Sequence, residues 1–564
     1  MNIDSCPYLH TVQRANINLE RNRICSVTLS PQHVYSCLVC GRFFSGRGKQ
    51  TEAFTHSVQA LHHVFMNLQD GTFWCLPDGY EIHDSSLSDI KDALSPQFSI
   101  SDIHELNSST KLSVDVHGGT FLPGFIGMNN LGKTDYISTV ILLLAHVKPL
   151  RDFFLRQENY SQCAVSSGAS KEQILANNFG DLLRRIWFPR ALKATVSPHT
   201  FINAVSECSG HRYGVAGKAV EAGEFLAWLL NSLHIGLLSE PQHQQNVNLG
   251  SVGNKRSRPT DSNEKTGGSI ITELFQGELE VTLLSSDFED EKAREEAKKN
   301  AEADVRNREE EKKWTDEQPS DGNKGIAATL KAHVSLSLPR TSKMPFRFLS
   351  LELPPSPLFN DSKGSVAIPQ IPVYALLNKY DGTTVTESLR GQYRERKTFK
   401  IIHLPRYLLF SIKRFSRNAF FVDKNPTIVS FPISNLELKP FTTGSIFSKE
   451  NISTKYDLIS NVCHVTPPYA VAGTSSIKDG RKSSSTRLTS STLLKESSAA
   501  SDEKANLATS TSSIITDPLA RGYYKVHLRR SAQAWYEVQD LSVTEILPQQ
   551  IGVSESLIVS FERN

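Results

Sequence analysis

The feature that most constrains this chain is a set of four cysteine and histidine residues near its amino terminus. Cys37 and Cys40 are separated by two residues, and His56 and His62 follow after fifteen and five intervening residues. Zinc in proteins takes about four sulfur or nitrogen ligands in a tetrahedron, and a C-x2-C turn directs two thiolates at one point. The spacing predicts a zinc site formed by these four residues, with His63 as an alternative fourth ligand.

The distribution of the eight cysteines favours metal binding over a disulfide framework. Five of them lie within the first 75 residues, and the other three are scattered. This pattern is typical of a reducing compartment. The amino-terminal residues lack the pattern of a signal peptide, and the longest apolar run, at 140–147, is too short to cross a bilayer. We therefore expect no role at a membrane.

The chain is close to electrically neutral. Its 62 Lys and Arg residues against 59 Asp and Glu give a formal net charge of +3 at pH 7. A protein that coats nucleic acid carries a clear excess of positive charge. We therefore expect protein partners, with contact to RNA indirect or minor.

The order of patterns along the chain predicts an α+β protein with two folded domains. Residues 1–100 hold the cysteine- and histidine-rich segment, and residues 101–122 are a linker. Residues 123–564 form a long second domain, because helical and strand-like patterns alternate through it.

Three polar or highly charged segments interrupt the second domain, at about 240–268, 287–325 and 473–516. None has enough apolar side chains to offset the entropy lost on ordering. Strand-like sequence resumes after each one, so we expect disordered insertions in loops of a single domain.

Four blocks of the second domain resemble sequence blocks of the ubiquitin-specific proteases, in the same order. The blocks are Pro123 to Ile137, Glu224 to His234, Leu404 to Pro432, and Gly522 to Asp540. The resemblance implies a papain-like fold with thumb, palm and fingers subdomains.

The same resemblance marks the positions at which active members carry their catalytic residues. Asp135 takes the place of the nucleophilic cysteine, Tyr523 that of the histidine base, and Gln539 that of the residue that orients the histidine. Asn130 matches the asparagine of the oxyanion hole. A carboxylate is a poor nucleophile, and a phenol with a pKa of about 10 stays protonated at neutral pH. We therefore predict a degenerate, non-catalytic scaffold, in which Asp540 has no imidazole to orient.

The three later cysteines, Cys163, Cys208 and Cys463, are the candidates for a relocated nucleophile. Cys463 precedes His464, but the surrounding pattern is that of a strand, in which neighbouring side chains point to opposite faces. His464 also matches a histidine that is not catalytic in active members. We interpret all three thiols as buried or incidental, and an active deubiquitinase with a displaced nucleophile is the alternative.

The first segment resembles the UBP-type zinc finger of the same proteases, through stretches that begin at Cys6, Cys37 and Cys75. Members of that finger family bind up to three zinc ions. Cys6, Cys25 and Cys75 lack a full second set of ligands here, so we expect one ion.

In ubiquitin-binding members this finger captures the carboxyl-terminal tail of ubiquitin with an arginine and aromatic walls. Arg42 matches that arginine, and Trp74 and Tyr80 are candidates for the walls. The resemblance leaves open weak binding of ubiquitin or a ubiquitin-like protein. The alternative is that Arg42 is a plain surface cation.

The finger followed by a protease domain with aspartate at the cysteine position resembles the inactive protease-like factors of pre-mRNA splicing. The resemblance implies a nuclear, non-catalytic scaffold that binds snRNP proteins and supports assembly or stability of the spliceosomal tri-snRNP. A non-cleaving ubiquitin-binding adaptor is the alternative. The basic cluster from Lys255 to Arg258 is a candidate nuclear-import signal or simply part of a solvated loop.

Overall fold

The computed structural model describes most of the chain. The described residues are 6–20, 22–108, 111–160, 170–238, 268–288, 339–355, 368–390, 393–417, 422–442, 453–467 and 517–564. The predicted insertions lie almost wholly outside these residues, as do Cys163 and the basic cluster from Lys255 to Arg258. No helix within the described ranges has both the length and the apolar character needed to span a bilayer.

A five-stranded antiparallel sheet and one helix form the finger region. Its elements are β1 (Val34–Cys37), β2 (Phe43–Ser45), α1 (Glu52–Ala60), β3 (Val64–Asn67), β4 (Phe73–Cys75) and β5 (Tyr80–Ile82), followed by α2 (Ser88–Leu94). The strand order is β2-β1-β3-β4-β5. Side chains alternate between the faces of the sheet, so one face packs on the amino-terminal coil and α2, and the other packs on α1.

A helical lobe follows, with α4 at its centre. Its elements are α3 (Ile100–Ser108), β6 (Ser113–Val114), β7 (Thr120–Phe121), β8 (Gly127–Met128), α4 (Asp135–Ala145), α5 (Lys148–Leu155), α6 (Lys171–Trp187), β9 (Thr195–Val196), α7 (His199–Cys208), α8 (Ala222–Leu237) and α9 (Ile270–Phe275). Every residue of α4 is buried, which fits its nearly continuous apolar sequence. The predicted linker, 101–122, contains most of α3 and the β6–β7 pair.

The rest of the described chain is mainly β-structure. Its elements are β10 (Gly277–Phe288), β11 (Arg340–Phe346), β12 (Leu349–Glu352), β13 (Gln370–Pro372), α10 (Val373–Leu377), β14 (Thr386–Arg390), β15 (Tyr393–His403), β16 (Tyr407–Lys413), β17 (Phe415–Arg417), β18 (Val422–Lys424), β19 (Ile428–Ser430), β20 (Leu436–Glu437), β21 (Lys455–Val465), α11 (Pro518–Arg521), β22 (Tyr523–Arg529), β23 (Trp535–Gln539), β24 (Ser542–Ile546), α12 (Pro548–Ile551) and β25 (Ser556–Arg563).

The central sheet has the order β12-β16-β25-β21-β22-β23-β24, with β20 paired to β21. One face packs on the helical lobe, through Val462, Val526 and Leu557 among others. The other face forms a second apolar core with Trp535 and Phe561. A separate antiparallel sheet, β11-β10-β15-β14, extends from this second core. The α4 helix is thereby held between the central sheet and the other helices.

Glu20 joins the finger region to the helical lobe. Its Oε2 accepts a 2.8 Å hydrogen bond from the main-chain N–H of Ser197. Ser197 follows β9, which pairs in parallel with β8, and the Asn129 side chain donates a hydrogen bond to the Ser197 hydroxyl. Burial raises the pKa of Glu20. The finger region is therefore bonded to the strand pair that leads into Asn130 and Asp135.

Candidate functional site

The predicted zinc ligands lie on adjoining elements of the finger region. Cys37 ends β1, and Cys40 lies in the following turn, which closes with a 2.8 Å hydrogen bond from the Gly41 N–H to the Cys37 carbonyl. Gly41 has φ +71°, and a Cβ there would overlap the main-chain oxygen of Asn16, so the turn requires glycine. His56 lies in α1, which ends at the left-handed Leu61, and His62 follows directly.

The four candidate ligand atoms lie close enough together to surround one zinc ion. The Cys37 Sγ–His62 Nδ1, Cys40 Sγ–His56 Nε2 and His56 Nε2–His62 Nδ1 distances are 3.5, 3.4 and 3.1 Å. All four atoms lie within 4.8 Å of one another. Zn–S and Zn–N bonds of about 2.3 and 2.0 Å give tetrahedral edges of about 3.3 to 3.8 Å. The residues therefore fit a zinc ion, as the finger pattern predicted.

His63 is turned away from this group. Its Nδ1 hydrogen-bonds the carbonyl of Leu76 at 2.8 Å, and its ring stacks on Tyr8 with centroids 4.0 Å apart. The geometry therefore favours His62 over His63 as the fourth ligand.

The remaining finger cysteines do not complete a second cluster. Tyr80 donates a 3.3 Å hydrogen bond to the sulfur of Cys6, and Cys75 lies near Asp78, with 3.9 Å between sulfur and carboxylate oxygen. Cys25 accepts main-chain hydrogen bonds within its own turn instead. Across the part of the chain that the structure describes, only Cys37, Cys40, His56 and His62 form a group with metal-ligand spacing.

The two candidate aromatic walls do not share one pocket. Trp74 pairs with Phe65 and Glu81 in the sheet, whereas Tyr80 pairs with Cys75, so Trp74 and Tyr80 point to opposite faces. A different arginine accompanies Trp74, because the guanidinium carbon of Arg47 lies 3.5 Å from the Trp74 ring centroid.

Arg42, the residue that sequence analysis matched to the tail-binding arginine, is exposed. The charged and aromatic pair on this face is therefore Arg47 with Trp74, a combination that sequence spacing did not single out.

Asp135 lies at the first turn of α4 and is only 4% exposed. Its Oδ2 accepts a 2.7 Å hydrogen bond from the main-chain N–H of Tyr524, at the start of β22. Burial raises the pKa of Asp135, with the Tyr524 N–H acting against this and the Asp540 carboxylate adding to it. The carboxylate thus ties the helix to the strand.

Of the two adjacent tyrosines at the start of β22, Tyr524 is buried beside Asp135 and Tyr523 is not. The Tyr524 hydroxyl donates to the Val220 carbonyl at 3.0 Å and accepts from the Ala222 N–H at 3.3 Å. Burial raises its pKa well above the usual value, so it stays a neutral phenol. Tyr523 is partly exposed at the start of the strand. The sequence resemblance places Tyr523 at the position of the histidine base, and it is the neighbouring Tyr524 whose main chain bonds to Asp135.

Asp540, rather than Gln539, faces the start of α4. Asp540 has φ +48°, and its carbonyl accepts a 2.8 Å hydrogen bond from the Met128 N–H. Burial raises the pKa of its carboxyl, while the nearby Asn130 amide lowers it. Asn130 Oδ1 accepts from the Thr134 N–H at 3.0 Å, so this oxygen stabilises the turn that leads into α4.

Cys463 and His464 point to opposite faces of the central sheet, as the strand pattern predicted. The His464 ring is fully buried against Phe415 and Tyr524, and burial lowers its pKa to about 3. A Cβ on Gly522 would overlap this ring. Cys463 instead contacts His527, with 3.9 Å between sulfur and Nδ1. His527 lies 64 residues from Cys463 in the sequence, so no local pattern indicates that the two are in contact.

Comparison with known proteins agrees with this arrangement. The family model described as ubiquitin carboxyl-terminal hydrolase matches residues 126–469, and the one described as Zn-finger in ubiquitin-hydrolases and other protein matches residues 25–87. "Ubiquitin carboxyl-terminal hydrolase 39" of Homo sapiens is 34% identical over 561 residues, covering 99% of this chain and 80% of the relative.

Two further relatives are named as splicing proteins. "Probable mRNA-splicing protein ubp10" of Schizosaccharomyces pombe is 31% identical over 562 residues, covering 99% of this chain and 88% of that protein. "Pre-mRNA-splicing factor SAD1" of Saccharomyces cerevisiae is 27% identical over 464 residues, covering 81% of this chain and 80% of that protein.

A crystal structure of "an essential yeast splicing factor" shares the fold. The TM-score is 0.62 at 22% identity, with 99% of this chain and 100% of that chain covered. The predicted α+β architecture, a UBP-type finger before a ubiquitin-specific-protease fold, is confirmed. By the extent of these matches, the chain belongs to the ubiquitin carboxyl-terminal hydrolase family.

Proposed function

We propose that this protein is a non-catalytic scaffold that acts in pre-mRNA splicing. The observation that carries the proposal is the buried Asp135 carboxylate, bonded to the Tyr524 main chain where a nucleophile would have to meet substrate. An acyl-transfer enzyme of this kind needs a thiol with an imidazole beside it. Among the residues that the structure describes, the groups at this place are a carboxylate, a phenol and a second carboxylate, and no thiol–imidazole pair lies beside Asp135.

The splicing role rests on the relatives. Two are named as splicing proteins, and the match to each covers at least four fifths of this chain. We infer that this protein works in the nucleus and binds snRNP proteins, and that it supports assembly or stability of the tri-snRNP. One zinc ion held by Cys37, Cys40, His56 and His62 would stabilise the finger region for this task.

Two experiments test the proposal. The first incubates the full chain with ubiquitin that carries a carboxyl-terminal electrophile, and we expect no covalent adduct on any cysteine. An active family member serves as the positive control. An adduct that disappears on mutation of one cysteine would contradict the non-catalytic assignment.

The second experiment purifies the tagged full chain from nuclear extract. We expect snRNP proteins and small nuclear RNAs to co-purify, and Cys40→Ser to weaken their recovery more than His63→Ala. Absence of snRNP components from the unmodified protein's eluate would contradict the splicing role.

A second candidate is capture of ubiquitin without cleavage, and Arg47 against Trp74 is the observation that favours it. A guanidinium stacked on an aromatic ring keeps its edge free to pair with a carboxylate. Titration with ubiquitin, and with ubiquitin that lacks its last two glycines, separates the candidates. Tail-dependent binding that Arg47→Ala abolishes would favour capture, and undetectable binding would remove it.

A further inference from the structure

Three side chains on neighbouring strands of the central sheet form a thiol–imidazole–carboxylate series. The Cys463 sulfur on β21 lies 3.9 Å from Nδ1 of His527 on β22. The other ring nitrogen, Nε2, lies 3.1 Å from the carboxylate of Glu537 on β23. Strand pairing sets His527 directly opposite Glu537. The imidazole is thus held between a sulfur and an acid, one on each nitrogen.

This series is separate from the cleft at Asp135. Val462, between Asn461 and Cys463, packs in the core of the helical lobe, so its two neighbours face the other side of the sheet. Cys463 and Asn461 have no exposed surface, and His527 is 1% exposed. The Asn461 amide donates to the Cys463 sulfur at 3.3 Å, while its own oxygen is buried without a hydrogen-bond partner.

Positive charge predominates around the sulfur. The Lys525 ammonium pairs with the Glu537 carboxylate at 2.8 Å. Lys525 and His527 both lower the pKa of Cys463 through their positive charge. Lys424 and the buried Arg414 also lie close enough to interact electrostatically with the sulfur. The facing acids are Glu537 and Glu555, and Glu555 is paired with Lys424. The four cations outnumber the two carboxylates, and this excess of positive charge stabilises a thiolate.

The pKa values of the series agree with this charge balance. Burial raises the pKa of Cys463, but His527 and the hydrogen bonds to the sulfur outweigh it and the net shift is downward. Burial lowers the pKa of His527, but Cys463 and Glu537 raise it to about 9. The His527 hydrogen bond lowers the pKa of Glu537 to about 2. Both shifts favour the charged forms, a thiolate on Cys463 and an imidazolium on His527.

We propose that Cys463 is a modification site, a buried thiol that His527 and Glu537 prepare for oxidation by small peroxides such as hydrogen peroxide. Burial excludes a protein or peptide substrate, but a peroxide is little larger than water. The sulfur is covered by Ser554, whose hydroxyl lies 3.3 Å away in the short segment between α12 and β25. The adjacent Val553 is 65% exposed, so one layer of chain separates the sulfur from solvent.

The chemical step uses each member of the series. The Cys463 thiolate attacks one peroxide oxygen, so that an S–O bond forms and the O–O bond breaks. The departing oxygen takes the proton from Nδ1 of His527 and leaves as water. Sulfur is oxidised by two electrons to a sulfenic acid, the peroxide is reduced, and Glu537 holds the ring in place throughout.

The test exposes the full, zinc-loaded chain to an equimolar amount of hydrogen peroxide for set times. Catalase then stops the reaction, and the chain is unfolded in the presence of dimedone, so that this trap for sulfenic acids reaches the buried sulfur. Peptide mass spectrometry then gives the trapping rate at each cysteine. Cys208 is the internal reference, since it is half-buried and burial raises its pKa. We expect Cys463 to be trapped about tenfold faster than Cys208. A zinc-sensitive dye monitors oxidation of the finger cysteines in the same sample.

The paired variants are His527→Gln and His464→Gln, since both imidazoles are buried but only His527 contacts the sulfur. We expect His527→Gln to slow trapping about tenfold and His464→Gln to leave it unchanged. In the unmodified protein, the rate at which hydrogen peroxide oxidises Cys463 should rise much less between about pH 6 and about pH 8 than the roughly seventyfold gain in thiolate of an ordinary thiol. Trapping of Cys463 no faster than Cys208, or an ordinary pH dependence, overturns the proposal.

Discussion

At the residue scale, Asp135 combines a favourable and an unfavourable property. It accepts a hydrogen bond from Tyr524 at the start of a helix, where the helix dipole favours negative charge. It is also buried near Asp540, and both burial and that second carboxylate raise its pKa. The hydrogen bond therefore supports the fold, while the charge itself has a cost in free energy.

Replacement of Asp135 by asparagine separates these two properties. The folded-state pKa of Asp135 is raised, so its contribution to stability is fully present below about pH 4 and is lost as pH rises through the folded value. Asparagine keeps an oxygen for Tyr524 but does not titrate. We expect Asp135→Asn to gain stability relative to the natural chain between about pH 4 and about pH 8, measured by urea unfolding.

Asp135→Ala is the matched control, because it leaves the Tyr524 N–H buried without an acceptor. We expect it to be about 1–3 kcal/mol less stable than Asp135→Asn at every pH. If the difference in stability between the natural chain and Asp135→Asn does not change with pH, the raised pKa of Asp135 is contradicted.

Gly522 gives a second prediction at this scale. A Cβ at this position would overlap the buried His464 ring, so Gly522→Ala should lower the free energy of unfolding by about 1–3 kcal/mol. Gly48→Ala is the control, because a Cβ there would meet nothing within 4 Å, and we expect a change within about 0.5 kcal/mol. Thermal denaturation of the two variants side by side decides the point, and equal effects would argue against close packing at Gly522.

At the element scale, the zinc ion that we propose for the finger region would join β1, its turn and α1. We expect Cys40→Ser to abolish zinc binding and His63→Ala to retain it, since His63 bonds to Leu76 and stacks on Tyr8 instead. Metal analysis by mass spectrometry after dialysis measures both. Loss of zinc in His63→Ala, with retention in His62→Ala, would reverse the ligand assignment.

The same elements show what sequence can predict. The zinc ligands lie within 26 residues, on a turn and a helix end whose spacing alone brings them together. The opposite orientations of Cys463 and His464 followed from the alternation of a strand. By contrast, Trp74 and Tyr80 were both candidates for one pocket, because only the pairing of β4 with β5 shows that they face apart.

The cleft and the thiol series depend on contacts between distant segments. Adjacent Tyr523 and Tyr524 are equivalent by residue type, and the register of β21 with β22 decides which of them is buried. Cys463, His527 and Glu537 come from three strands, and the alignment of those strands depends on the whole sheet. Local pattern therefore predicted the fold and which four Cys and His side chains lie together in the finger region, but not these partners.

At the scale of the whole molecule, Glu20 connects the finger region to the cleft through Ser197 and Asn129. We expect Glu20→Ala to speed hydrogen exchange of the Ser197 amide about tenfold, because the N–H loses its acceptor. Glu81→Ala, at an exposed carboxylate of the same region, is the control. Unchanged exchange at Ser197 in Glu20→Ala would show that this bond does not hold the two parts together.

The position of β25 has a consequence for how the molecule is made. Residues 556–563 insert between β16 and β21, so the two inner strands of the central sheet meet only through this late segment. During synthesis the helices can pack together early, whereas the facing edges of β16 and β21 stay unpaired until β25 has been made. Over this interval, β16 and β21 therefore each keep one edge without its native partner strand.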